Sequence, residues 1–302
     1  MRQFIFPFIL LLTAVFCYGA ESSHTLELLR QNVPARSFEI TGNSKKGYHI
    51  QTDRYDVMTF QLEDGNLVGE RLEHLAHVWK LLAAKYMKKV VKEPAHRHQI
   101  VLYRDKQEYV VFLIRFDPFI TQSNGYYYLP VKTAYFFSPD TKILFHEGTH
   151  QLLAEHFFQE KTPVFRNNFW VVEGIALFME TLKVEENSYK IGDILADRLF
   201  AAKKYRFERN YNLPIRQLAA MSAARIQGRT DDLQQIYSQS AALVHWLMFA
   251  EKGHYRSQLF ELLRQTYHDS AKPETLSELT GLSYEELDKR YVEFLETIPE
   301  NE

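Results

Sequence analysis

Cysteine is almost missing from this chain: its 302 residues hold one, Cys17, inside the apolar stretch near the start. Beyond that stretch, disulfide frameworks and thiolate metal sites are excluded, and an ordinary packed core has to carry stability. An excess of one charge is missing too. The formal net charge is −2, one unit more negative once Arg2 is lost with a leader, so there is no electrostatic case for nucleic acid. Internal repeats and low-complexity linkers are absent, which excludes solenoids and arrays. A long apolar run is lacking as well. The run from Phe4 to Phe16 is too short for a comfortable membrane span. With Met1-Arg2 before it and Gly19-Ala20 after it, residues 1–20 read as a secretory signal peptide, and Phe16 before Cys17 disfavours lipidation. The mature chain is therefore expected to begin near Ala20 or Glu21, to be secreted or periplasmic, and to have no membrane span after signal cleavage.

What the chain does have is His146-Glu147-Gly148-Thr149-His150, the H-E-x-x-H spacing. On a helix, residues four apart lie about 40° apart and one turn along the axis, so two imidazoles can converge on one ion. Glu147 then lies beside them, placed to reach a water on the metal. Zinc lowers the pKa of bound water to about 7, and a neighbouring carboxylate can take the proton. The pentapeptide alone recurs by chance in roughly one of a hundred chains of this length, so its context decides. Ser138-Pro139-Asp140 offers an N-cap, a first-turn proline and a first-turn acid. Apolar Ile143, Leu144, Leu152, Leu153, Phe157 and Phe158 surround the motif and predict a buried helix.

A catalytic zinc site usually has three protein ligands and an open position. Beyond a polar loop around Lys161-Thr162-Pro163 and Arg166-Asn167-Asn168, a second helix starting near Val171 would carry Glu173 and Glu180 on one face, two turns apart, in an otherwise apolar stretch. Buried carboxylates are costly unless a metal or a hydrogen-bond donor meets them. Glu173 is therefore the expected third ligand, and Glu180 the carboxylate that orients a ligand histidine.

His146-Glu147-x-x-His150 followed by Trp170-x-x-Glu173-Gly174-x-Ala176-x-Phe178-x-Glu180 resembles the gluzincin metallopeptidases, the H-E-x-x-H…E group of the MA superfamily. The resemblance implies a zincin-like fold, Zn²⁺ as cofactor, His146, His150 and Glu173 as metal ligands, and Glu147 as general base. The segment Tyr237-Ser238-Gln239-Ser240-Ala241-Ala242-Leu243-Val244-His245 is similar to the one whose tyrosine stabilises the oxyanion, which implies Tyr237 in that role, with His245 as runner-up. The aminopeptidase G-x-M-E-N motif is lacking: between residues 116 and 145 the only acids are Asp117 and Asp140, so nothing there anchors an N-terminal amine. The chain more nearly resembles an uncharacterised family of secreted bacterial zincin-like proteins with a Thr-Asp strand, a helix, a Gly-Tyr hairpin and H-E-G-T-H-Q in that order.

The expected architecture is α+β: a signal at 1–20, an N-terminal α+β subdomain at 21–138, and the zinc helix with a helical subdomain at 139–302, the zinc cleft lying between. Tyr48 to Thr52 and Gln99 to Tyr103 read as strands, Gly69 to Lys89 as a helix, and Asp105 as the cap of a helix through Arg115. Gly125 to Leu129 and Thr133 to Phe137 suggest a hairpin around Pro130, with Tyr126 to Leu129 as an edge strand that could bind extended peptide. Further helices are expected over Ile191 to Phe207, Leu213 to Met221, Asp231 to Ala250, Tyr255 to Tyr267 and Tyr284 to Thr297. Glu70, His74 and His77, and separately His96 and His98, read as polar surface groups. The favoured function is a zinc-dependent peptidase acting on a peptide or protein substrate. The rival is a catalytically inactive, metal-stabilised binding module of the cell envelope.

Overall fold

Tyr55–Thr59 and His98–Leu102 alternate inward and outward along their length, the pattern of strands with one well-covered face. They lie side by side in a six-stranded sheet. The computed structural model of the chain describes residues 24–29, 39–87, 96–157 and 163–300; the expected signal segment, Phe158, Lys161 and Thr162 lie outside them. The first strand, β1 (Leu26–Leu29), stands apart, pairing antiparallel with Ser188–Ile191 in the helical half of the chain. Strands β2 (Glu39–Asn43), β3 (Gly47–Gln51) and β4 (Tyr55–Thr59) form an antiparallel meander. Helix α1 (Leu62–Met87) then crosses to β5 (His98–Leu102), which is parallel to β4. Asp105 caps α2 (Lys106–Leu113) by accepting from the Glu108 N–H. The hairpin of β6 (Gly125–Tyr128) and β7 (Thr133–Phe136) completes the order β2-β3-β4-β5-β7-β6, with β7 parallel to β5 and β6 on the edge. Pro130 sits in the 3-10 turn between the two strands, off the ladder.

The rest is mostly helical: α3 (Thr141–Phe157), α4 (Phe169–Met179), a small hairpin of β8 (Lys183–Val184) and β9 (Ser188–Ile191), then α5 (Asp197–Phe207), short α6 (Ile215–Ala219) and α7 (Ala223–Gln227), α8 (Leu233–Gly253), α9 (Arg256–Tyr267), α10 (Thr275–Thr280) and α11 (Tyr284–Thr297). The fold is thus α+β, a sheet followed by helices. One large core joins α1, α3, α4, α8 and α9 to one face of the sheet, and a smaller cluster around Tyr109, Leu113, Ile120 and Tyr135 lies on the other. Among the described residues no helix is long and apolar enough to cross a membrane.

Several expectations shift. Helix α1 begins at Leu62, seven residues before Gly69, because Gly65 and Gly69 are buried helical residues; a Cβ at Gly65 would stand 2.6 Å from both Ile50 Cδ1 and Thr59 Cγ2. Ile191 ends a strand instead of starting a helix. Gly192, at φ +90°, turns the chain, and the Asp193 carboxylate accepts from the Leu195 N–H before α5 starts at Asp197. The cap of α3 is Asp140, whose Oδ1 accepts from the Ile143 N–H at 3.1 Å, so Ser138 and Pro139 precede the helix.

Candidate metal centre

Helix α3 is enclosed on most sides, and its polar residues fall in two stripes with separate partners. The first stripe is His146 and His150. The second, Glu147, Gln151 and Glu155, faces the sheet. Gln151 Nε2 donates to the carbonyls of Gln99 and Lys132, each at 3.2 Å, and Glu155 Oε2 lies 2.9 Å from His98 Nδ1. Glu147 Oε2 accepts from the Tyr127 N–H of edge strand β6 at 3.0 Å. These bonds fix the rotation of α3 under the hairpin, so that the histidine stripe faces α4.

The start of α4 is fixed as firmly. Asn168, in the left-handed region at φ 56°, donates its backbone N–H to Ala219 O and its Nδ2 to Lys272 O, both at 2.8 Å, and its Oδ1 accepts from Trp170 Nε1 at 3.2 Å. Gly174 lets α4 approach α8: a Cβ there would stand 2.8 Å from the Ser240 carbonyl oxygen. Glu173 is thereby turned from an apolar helix toward the two imidazoles.

Three donor atoms meet. His146 Nε2 and His150 Nε2 are 3.2 Å apart, and Glu173 Oε2 is 3.5 Å from the first and 3.6 Å from the second. A tetrahedral ion with bonds of about 2.0–2.1 Å spaces its ligand atoms about 3.3–3.4 Å apart, so this triangle fits a metal without rearrangement. Two ring nitrogens facing each other at 3.2 Å are a poor pair for any other purpose, since one must accept. Among the described residues this is the one group of three or more His, Cys, Asp or Glu side chains whose ligand atoms converge in this way. The chain therefore has a His146-His150-Glu173 cluster able to hold a metal ion.

The surroundings suit that use. Glu180, the C-cap of α4, accepts from His146 Nδ1 at 2.7 Å, which leaves Nε2 as the lone-pair donor on the metal side. Burial opposes charge on His146, but the Glu173 and Glu180 carboxylates outweigh it and hold the pKa well above the usual histidine value. Burial likewise works against a charged Glu173, yet the two histidines hold its carboxyl far below the normal range. In the absence of a cation, protons fill the charge deficit that a metal would satisfy.

Tyr237, on α8, is half-buried. Burial, then the negative charges of Glu173 and Glu147, push its hydroxyl pKa far up, while the Arg198 guanidinium pulls the other way. Its hydroxyl is thus a permanent donor within electrostatic reach of the triad and of Glu147. His245, two turns further along α8, lies elsewhere, ringed by His24, Phe249 and Phe294 at centroid distances of 6.1, 4.6 and 5.5 Å.

His96 is exposed, as its sequence context suggests, but His74 and His98 are not polar surface groups. His74 is buried with Nδ1 2.9 Å from the Tyr189 hydroxyl, and His98 is buried against Glu155. Sequence reasoning also missed the contact between Glu147 and the edge strand, and the place of Arg198 at the site. The first had a signal in the i, i+4, i+8 spacing of Glu147, Gln151 and Glu155; the second had none.

A family model described as "Protein of unknown function (DUF1570)" matches residues 140–270. That span begins at the cap of α3 and ends after α9, so it holds the triad, Glu147, Glu180 and Tyr237, but not the six-stranded sheet. No curated protein matches the chain.

Proposed function

We propose that the protein is a zinc-dependent peptidase of gluzincin type. The observation that carries this reading is the His146-His150-Glu173 triangle with Glu147 beside it: three protein donors, and the next residue in the chain a carboxylate that is not one of them. A binding module would use that fourth group only to anchor α3 to β6 through the Tyr127 N–H. The donor set of two imidazoles and one carboxylate suits zinc in a catalytic site. When bound, the ion supplies Lewis-acid polarisation of the scissile carbonyl and lowers the pKa of water to about 7.

The remaining work falls to the chain itself. Glu147 takes the proton of the attacking water and later delivers it to the departing amine, a role worth on the order of 10² to 10⁴ in rate. Tyr237 donates its hydroxyl proton in a hydrogen bond to the carbonyl oxygen as that oxygen gains charge. The elevated pKa keeps it a donor at every working pH. Strand β6 is one edge of the sheet, and in this reading an extended substrate runs beside it. The Tyr127 N–H already bonds Glu147, which keeps the base tethered to the edge strand.

The test combines metal content with turnover. Purified protein should hold about one zinc per chain, chelation should abolish cleavage of a broad peptide mixture, and Glu147→Gln should keep the zinc while lowering turnover at least about 100-fold. Full zinc content with no Glu147-dependent cleavage would favour a metal-stabilised binding module instead.

A further inference from the structure

Beside the triad lies a cavity of about 650 Å³, large enough for one or two amino-acid residues. The three triad residues do not line it, and Glu180, which accepts from His146, is the link between the two. Lys142 of α3, one turn before His146, and Glu180, the partner of His146, form one wall. Ala241 and His245, one and two turns after Tyr237, form another. The first turn of α5 closes the third side, and Leu177, Leu182, Leu195 and Leu199 make much of the lining apolar.

Its charges are unevenly matched. Lys142 pairs with Asp197 at 2.8 Å, Lys183 with Asp193 at 2.6 Å, and Glu180 is held by His146 at 2.7 Å. Arg198 is the exception: its hydrogen-bond partner among the described residues is the neutral amide of Gln234, at 2.7 Å. Gln234 stands three residues before Tyr237 on α8, which puts the guanidinium at the end of the cavity nearest the candidate centre. Arg198 also lies in the first turn of an eleven-residue helix whose N-cap, Ala196, offers no side-chain cap, so the positive end of the helix faces the same space. On the opposite wall the Nε2 of His245, a side chain only 1% exposed, is buried without a hydrogen-bond partner among the described residues. With almost no accessible surface, that atom does not reach the cavity, and it marks no ligand contact there.

We propose that this cavity receives the C-terminal residue of the substrate, with Arg198 pairing its free carboxylate and the leucine-lined wall taking an apolar side chain. This rests on the peptidase reading and narrows it to peptides cut within one or two residues of a free C-terminus. A guanidinium without an acidic partner offers two parallel N–H donors to a carboxylate, and its attraction to an amide or alcohol is far weaker. One residue of extended chain spans about 3.3–3.6 Å, so the proposal requires the triad to lie within one or two such steps of the bound carboxylate.

Binding can be read apart from turnover with two probes that contain no bond to hydrolyse, 3-phenylpropanoate and 3-phenylpropan-1-ol. Each is titrated into zinc-loaded protein by calorimetry or ligand-observed NMR. The carboxylate should bind the native protein at least about tenfold more tightly than the alcohol, and Arg198→Gln should bring the two within about twofold, with Arg198→Lys between. Ala241→Leu, which narrows the cavity from α8 two turns beyond Gln234, the partner of Arg198, should weaken both probes and leave their ratio in place. A carboxylate preference that survives Arg198→Gln would put the anion on the metal and overturn the assignment, as would the lack of any preference in the native protein. Peptide turnover is scored separately, with free and amidated C-termini. Cleavage that ignores this difference refutes the subsite and leaves the peptidase standing, whereas no cleavage at all refutes the peptidase.

Discussion

Replacing Glu180 by alanine removes the one acceptor shown for His146 Nδ1, a bond of 2.7 Å to a carboxylate whose side chain is 20% exposed. The ring then loses the contact that fixes its tautomer and orientation, with Nε2 turned to the triad. Loss of such a partner typically lowers metal affinity 10- to 100-fold, or about 1.4–2.8 kcal/mol. A second effect opposes the first. Glu180 also helps hold the His146 pKa up, so without it the metal-free site carries less proton for the ion to displace. The sign follows: at low pH the native site suffers more proton competition than the variant, and the difference between them shrinks. At high pH that competition vanishes and the full loss appears. Zinc affinity measured against a competing chelator at pH 6 and pH 8 should therefore show the variant weaker at both, and by the larger factor at pH 8. Equal affinity at pH 8, or a larger deficit at pH 6, would refute the orienting role.

Two further predictions concern the frame of the site. Burial, and then the nearby His24, lower the His245 pKa to about 3, so the folded protein refuses a proton that the unfolded chain accepts below about 6.5. Stability is complete above that value and falls by about 1.4 kcal/mol per unit as pH drops toward 3. His245→Gln should remove about 2 kcal/mol of the loss between pH 6.5 and pH 5, read by urea denaturation; an unchanged acid slope would show that the imidazole is solvated. Gly174→Ala and Gly148→Ala should differ, although both sites are helical and alanine gains about 1 kcal/mol of propensity at each. At Gly174 the new methyl meets the Ser240 carbonyl oxygen at 2.8 Å, backbone that cannot move aside, and the net cost should be about 1–3 kcal/mol. At Gly148 it meets the Cδ2 tips of Leu72 and Leu75, which can rotate, so the change should be near neutral. The reverse order in urea midpoints would contradict this packing account.

The legible parts of the chain were those where chemistry and helical period coincide. His146, His150 and Glu173 could be grouped because imidazoles four apart and a carboxylate in an apolar helix have few other uses. The seven-residue spacing of Glu173 and Glu180 likewise brought both to one face of α4. Helix α11 matches its expected span of Tyr284 to Thr297 because Ser283 and the acids after it mark a clear start. The illegible parts depend on partners far along the chain. Among the described residues strand β1 pairs with β9 alone, more than 150 residues later, and nothing local announces it. Helix α1 hid its first turns behind glycines needed for close packing on β3 and β4. His74 and His98 look polar and exposed in sequence, yet Tyr189 and Glu155 bury them. The cavity could not be foreseen at all, since its walls come from α3, α4, α5 and α8.

The two stripes of α3 explain why a metal is the economical account of the centre. A helix packed between a sheet and α4 should be largely apolar, yet besides Thr149, which bonds the Phe145 carbonyl, the two stripes of this one carry five polar groups at positions 146, 147, 150, 151 and 155. Three of them take partners from the protein: Glu147 the Tyr127 N–H, Gln151 two carbonyls through its Nε2, and Glu155 His98 through its Oε2, while Gln151 Oε1 and Glu155 Oε1 stay buried with no hydrogen-bond partner among the described residues. The histidines are answered only in part. Glu180 takes the Nδ1 of His146, but the two Nε2 atoms and Glu173 Oε2 face one another, a carboxylate and two lone-pair donors crowded within 3.6 Å. Protons can hold that crowd together at a cost in desolvation, whereas a divalent ion holds it with all three groups in their ordinary states, His neutral and Glu charged. The same helix rotation that sends the histidines to the metal sends Glu147 to the edge of the sheet, about 100° away. The proposed ligands and base thus sit on adjacent residues yet face different partners, Glu173 for the histidines and the Tyr127 N–H of the edge strand for Glu147.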